Sequence, residues 1–411
     1  MAGFTVHLDE NAGPASTHAL VIGVGAYTHL QGGASPTAHP GAVGMRQLTS
    51  PPLSARRFAT WMIDKYHDAG RPLGSLALLL GEEVPGPFVH PRTGAEHAVA
   101  AATIDNIVAA VLEWKDRGDH DQARLVFYFC GHGVSLGFDT SLLASDMFAD
   151  LNSPMNGALH FEGLKRGLNS CRAGQQVFFV DACRAGSDAL GRTVGGASLG
   201  RVPVDGNEMF RPEGFVPREH AVLYATLHGE ETFGRAGEAS LFTSALLQSV
   251  DGAASENTEG HVWRVTTGTL THAIGHFMKE PAFAGTLTNA AVPVNSESFD
   301  FVFHELPGDP IVPVYIGCLP QTDNALAEFV CRHPGQDDRR RPPPAAGDEP
   351  DLTEWSLFLP FGQYEVEAVL GPGDVRRDGL DARPPLFTSD WPGRERRTRR
   401  QAAPCARRGA R

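Results

Sequence analysis

Residues 175–186 read QQVFFVDACRAG. The run Val177 to Val180 is apolar and stops at a carboxylate, an alanine and a thiol, which predicts a strand buried on both faces that delivers Asp181 and Cys183 to its carboxyl end. In an open α/β sheet, that end is where loops and side chains of neighbouring strands converge. A second run of the same kind, RLVFYFCGHG at 124–133, ends in Gly131, His132 and Gly133. Glycines on both sides leave the imidazole unobstructed and let a substrate backbone approach closely. Thiol and imidazole are therefore expected on one rim.

Outward from these strands, short apolar runs alternate with amphipathic ones. HALVIGVG (18–25), SLALLLG (75–81) and AVLYATLHG (221–229) read as further strands. LSARRFATWMIDKYH (53–67), TIDNIVAAVLEWKDRG (103–118), FEGLKRGLNSC (161–171), SLFTSALLQSV (240–250) and TTGTLTHAIGHFMKE (266–280) place apolar residues at helical spacing. Strands and helices alternating in this way imply an α/β fold, a mostly parallel sheet flanked by helices on both faces. Gly23-Val24-Gly25 resembles the start of a dinucleotide loop, but the third glycine is missing and that reading is rejected.

A thiol beside an imidazole supplies a nucleophile and its proton acceptor for acyl transfer, and the amides of Gly133 and Cys183 are placed to hold the oxyanion. Cys183 sits in an Ala-Cys-Arg setting 51 residues after His132. A cysteine in that setting about 50 residues after a histidine is the local signature of caspases. The chain resembles bacterial caspase-family cysteine peptidases of clan CD, in the broad group that includes metacaspases and paracaspases. The motifs that carry the resemblance are HALVIGVGAY, FYFCGHG, FFVDACRAG and YAT…LFTSALL, and they span about residues 16–285.

The resemblance implies a caspase-hemoglobinase-like sheet, His132 as general acid and base, and Cys183 as nucleophile. It also implies that Asp181, on the same side of the strand as Cys183, lines the pocket for the P1 side chain, as in metacaspases that cleave after Arg or Lys. Two departures bear on this. The loop before the first helix reads Pro52-Leu53-Ser54-Ala55 where metacaspases supply a second acid, and Arg46 in that loop favours an acidic P1 instead. Cys130 stands where metacaspases have a small serine. Cys130, His132 and Cys183 lack the paired spacing of a metal site, no cofactor is expected, and no acidic cluster argues for calcium activation. The bland readings of the same residues are a core thiol at Cys130 and Cys171, and an Asp181 that satisfies local backbone amides.

Residues 184–219 are rich in Gly, Arg and Pro and lack periodicity. They read either as a surface loop or, by resemblance, as a linker cut autocatalytically after Arg184, Arg192, Arg201, Arg211 or Arg218. Beyond residue 295, SFDFVFHEL, IVPVYIGCL, WSLFLPF and YEVEAVL are short strand-like runs. The expected organisation is an N-terminal arm (1–15), a peptidase domain (16–285), a small β-rich domain (296–372) and a disordered Arg-rich tail (373–411).

The net charge is −13, but residues 394–411 carry eight Arg and one Glu, which leaves the rest near −20. A body that acidic does not favour specific binding to nucleic acid. No apolar run approaches the length of a membrane span. The six cysteines lack paired spacing and the N-terminus lacks a basic and an apolar region, so reduced thiols and a cytoplasmic location are expected. The expected partners are a protein or peptide substrate and a regulatory protein. The alternative function is a latent or inactive recruitment module that acts through its β-rich domain.

Overall fold

The computed structural model describes residues 3–384 apart from 36, 43, 137–138, 151, 183–198, 205–217, 226–236, 258–261, 279–293 and 346–349. Strands β1 (Thr5–Leu8), β2 (Thr17–Val24), β3 (Leu73–Gly81), β4 (Arg124–Gly131), β5 (Gln175–Ala182), β6 (Glu219–Tyr224) and β7 (Val294–Ser298) form the large sheet, in the spatial order β1-β3-β2-β4-β5-β6-β7. The five central strands are parallel. The two edge strands, β1 and β7, pair antiparallel to their neighbours.

Every residue of β2, β4 and β5 is buried, as their unbroken apolar runs require. Helices α1 (Ser50–Asp64), α2 (Ile104–Arg117), α3 (Phe161–Gly167), α4 (Leu241–Gln248) and α5 (Thr267–Phe277) supply the covering layers. Leu125, Phe127 and Phe129 of β4 join one core with α2 and α3, while Val126, Tyr128 and Cys130 join the other with α1, α4 and α5. The period of two along β4 thus sorts its side chains between the two layers. Helix α2 is capped by Thr103 and ends at Gly118, where a Cβ would stand 2.3 Å from Leu125.

After β4 the chain builds a three-stranded antiparallel sheet from Gly133–Leu136, Asp139–Leu143 and Ala158–His160. The C-terminal region forms its own core around Val312, Phe329, Leu359 and Leu380, beneath a two-stranded and a four-stranded antiparallel sheet. Among the described residues no helix is long and apolar enough to cross a membrane.

The strands bear on the expected boundaries at three places. The expected N-terminal arm (1–15) carries a strand, Thr5–Leu8, that completes the sheet edge beside β3. Residues 294–305 belong to the large domain, since β7 pairs with β6 and Val302–Glu305 pairs with Arg264–Thr266. The β-rich domain begins near Ile311 and runs past residue 372 through a strand at Asp374–Ala382. Residues 385–411 lie outside the described residues.

Candidate active site

β4 and β5 are adjacent and in register, with Asp181 level with Cys130 and Ala182 level with Gly131. The chain therefore leaves β5, one residue before Cys183, at the level of the residue before His132. Cys183 itself lies outside the described residues, as do Arg184, Arg192 and Arg211.

His132 is held from two sides. Its backbone N–H donates to the hydroxyl of buried Tyr27 at 2.8 Å, and the two rings pack with centroids 5.0 Å apart. Its Nε2 lies 2.7 Å from the carbonyl oxygen of Arg46. A carbonyl only accepts, so Nε2 carries the hydrogen and Nδ1 the lone pair. Desolvation pulls the pKa of His132 down, and the Arg46 carbonyl works the other way. The lowered pKa favours the neutral ring, and the Arg46 carbonyl selects its tautomer. Gly131 is required here, because a Cβ would meet the Tyr27 hydroxyl at 2.9 Å. Gly133 starts the next strand opposite Leu142, and the carbonyl of His132 accepts from Leu143 N–H at 3.0 Å.

Asp181 is 3% exposed and points to the α1 and α4 face. Its Oδ2 accepts from Ser240, from Thr243 at 2.9 Å and from the Cys130 thiol at 3.3 Å. Ser240 is also the N-cap of α4, accepting from Thr243 N–H at 3.0 Å, while its own N–H donates to Ser54 Oγ at 2.9 Å. Burial raises the pKa of Asp181 and the three hydrogen bonds oppose that rise. Among the described residues neutral dipoles hold the carboxylate, with no Lys, Arg or His among its polar contacts. These bonds come, among the described residues, from two side-chain hydroxyls and a thiol.

Burial and the neighbouring Asp181 charge push the Cys130 thiol well above its ordinary pKa. It stays protonated, which removes it as a rival nucleophile. Among the described residues no group of three or more His, Cys, Asp or Glu side chains is arranged to hold a metal ion.

Arg201 and Arg218 are both described, far apart. Arg201 lies against the small sheet, bridged to Leu159. Arg218 precedes β6 at the amino end of the large sheet, where it donates to the carbonyls of Leu168 and Asn169. At ~3.3 Å per residue, the length of β6 puts that end roughly 20 Å from the His132 rim. Sequence reading missed Tyr27, Ser54, Ser240, Thr243 and the Arg46 carbonyl. A serine opening the SLFTSALL run signals a helix cap, and nothing in the sequence marks a backbone carbonyl.

A family model, the caspase domain of peptidase family C14, matches residues 16–267. The uncharacterized protein y4kE of Sinorhizobium fredii is 24% identical over 269 residues, covering 64% of this chain and 75% of that protein. Among solved structures, caspase-1 of Spodoptera frugiperda covers 72% of this chain and 93% of its own at 12% identity, with a TM-score of 0.40. Protein GSU0716 of Geobacter sulfurreducens covers 70% and 94% at 14% identity, with a TM-score of 0.38.

Proposed function

The chain belongs to the caspase-domain family of cysteine peptidases, and from that premise we propose that it is an endopeptidase acting through Cys183 and His132, with Arg, then Lys, preferred at P1. The observation that carries the reading is the register of β4 and β5, which brings His132 and the residue before Cys183 to one rim. The Cys183 thiol gives its proton to Nδ1 of His132 and the sulfur attacks the scissile carbonyl carbon. The amides of Gly133 and Cys183 take the negative charge of the tetrahedral intermediate. Nδ1–H then protonates the departing amine, and a water deprotonated by the same nitrogen hydrolyses the thioester. The Arg46 carbonyl keeps Nε2–H in place throughout and stabilises the imidazolium. The chemistry calls for no cofactor.

The P1 preference is supported by the buried Asp181 carboxylate, which no described cation neutralises. An arriving guanidinium or ammonium meets that charge in a region of low dielectric, where attraction exceeds its value in water. Arg46 is exposed and its carbonyl touches His132, which is the observation favouring an acidic P1.

Matched fluorogenic peptides with Arg, Lys or Asp at P1 separate these readings, assayed with and without calcium. Arg turnover is expected to dominate, to be unaffected by calcium, and to fall about 10–100-fold in kcat/KM in Asp181→Asn, the size of one charge-assisted contact. Preferred turnover of the Asp peptide would transfer the P1 role to Arg46.

The proton inventory also fixes a pH dependence. The base must be neutral to accept the thiol proton, so kcat/KM is lost as pH falls through the His132 pKa, which burial holds below the ordinary 6.5. The acid limb of the profile is expected to have its midpoint below 6.5. A midpoint above 7 would assign the limb to another group.

The separate core of the C-terminal sheets supports a second reading, recruitment of a protein partner with catalysis latent. Partner capture that survives Cys183→Ala, with no peptide turned over, is its expected signature. The four described cysteines are buried thiols.

A further inference from the structure

Between Cys183 and β6 only residues 199–204 are described before Arg218, and they are seated rather than loose. Arg201 N–H donates to the Ala158 carbonyl at 2.7 Å, and the Arg201 carbonyl accepts from His160 N–H at 2.9 Å. The Leu199 carbonyl accepts from Ser141 Oγ. The segment thus adds a parallel bridge to the free side of the strand Ala158–His160.

The fit depends on glycine at three positions. Gly200 has φ +130°, and a Cβ there would stand 2.6 Å from the Ala158 carbonyl oxygen. On α3, a Cβ at Gly163 would meet Val202 at 2.7 Å, and one at Gly167 would meet the Val204 carbonyl oxygen at 2.0 Å. Gly163 and Gly167 are one helical turn apart, so they open a groove along one face of α3. Val204 lies in that groove only 5% exposed and belongs to the core shared by α2 and α3.

The small sheet that receives this segment is the one that begins just after His132. Leu143 donates to the His132 carbonyl and pairs with Ala158, whose carbonyl accepts from Arg201. A continuous ladder therefore runs from His132 to Arg201.

We infer that Leu199–Val204 is an internal clasp: seated on α3 and the Ala158–His160 strand, it braces the sheet behind His132 and withholds the Arg201–Val202 bond from cleavage. A peptidase takes its substrate as an extended strand with its backbone bonds free. At Arg201 both backbone groups are already engaged, and the side chain, 45% exposed, reaches toward Asp105 at 3.4 Å. Cutting there requires the clasp to lift first, so the rate follows the population of the lifted state. The shielding from the protein's own site and the bracing of His132 rest on the peptidase reading above; the seating does not.

The test uses the full chain carrying Cys183→Ala, which removes self-cleavage, with trypsin as the external probe. Trypsin is expected to cut Arg201–Val202 at least about tenfold more slowly in this protein than in versions that add Gly200→Val or Val204→Asp. Both changes lie on the clasp itself, and circular dichroism and urea midpoint of each variant check that α3 and the large sheet stay folded. Equal cutting rates at Arg201 with and without them would overturn the clasp. With Cys183 restored, the two clasp variants are expected to cut themselves after Arg201 and to turn over the Arg peptide more slowly. Peptide turnover equal to that of the parent would overturn the brace. If the Cys183 proteins are all inert while the trypsin contrast holds, the clasp stands and the peptidase reading fails.

Discussion

Peptide turnover is expected to fall by about 10⁴-fold or more in Cys183→Ala and by about 10²–10⁴-fold in His132→Ala, with no further loss of comparable size when the two are combined. The non-additivity follows from the shared task. Without the sulfur there is no bond for the base to assist, and without the base the thiol at neutral pH is mostly protonated and the leaving amine has no proton donor. Tyr27 gives a graded control. Its hydroxyl accepts from the His132 amide and its ring supports the imidazole, so Tyr27→Phe keeps the ring and removes the hydroxyl that receives the His132 amide. That variant is expected to lose far less than His132→Ala. Steady-state kcat and KM for the parent and the four variants on one Arg peptide check the ordering. A His132→Ala enzyme within about tenfold of the parent would remove the imidazole from the mechanism.

The β4 and β5 rim was legible in the sequence because its signal is local. Each strand is an unbroken apolar run whose end is marked by residues out of place in a core, and the parallel α/β pattern puts both ends on the same side. Two of the four motifs that carry the caspase-family resemblance are those same residues. What stayed hidden depends on tertiary approach. Ser54 and Ser240 lie 186 residues apart, yet meet beside Asp181 because α1 and α4 cover the same face of the sheet. Arg46 serves His132 through a backbone carbonyl, which any residue supplies. The clasp reads as a Gly, Val and Pro loop because what fixes it is the shape of α3, two glycines in a helix that propensity alone would disfavour. The sequence does not mark where the large domain gives way to the β-rich one, because β7 and Val302–Glu305 have the same short, strand-like texture as the strands that follow.

Arg124 governs the largest expected stability effect, and its place at the opposite end of β4 from His132 separates that effect from catalysis. The residue is fully buried, with its side chain 0% exposed. Its guanidinium pairs with Asp68 at 2.8 Å and donates to Tyr66, to Gln175, and to the carbonyls of Val302 and Phe303 at 2.6 and 2.9 Å. It also lies 5.8 Å from the centroids of Phe301 and Phe303. One side chain thus ties β4 and β5 to the turn after α1 and to the strand Val302–Glu305. Leucine at this position fills much of the volume but takes the guanidinium donor from Asp68 Oδ2, the Gln175 amide oxygen and two carbonyls, while Asp68 Oδ1 keeps the Gly70 and Arg71 N–H groups. Breaking a buried pair in this way costs about 3–5 kcal/mol, because the partner charge is left uncompensated. Arg124→Leu is expected to lower the unfolding free energy by that amount, read as a shift in urea midpoint at unchanged slope. Arg124→Lys keeps the charge near Asp68 but cannot reach all the acceptors at once, so it is expected to fall between the two. A loss below about 1 kcal/mol in Arg124→Leu would mean that the freed acceptors find other donors, and that the amino end of the sheet does not depend on this residue.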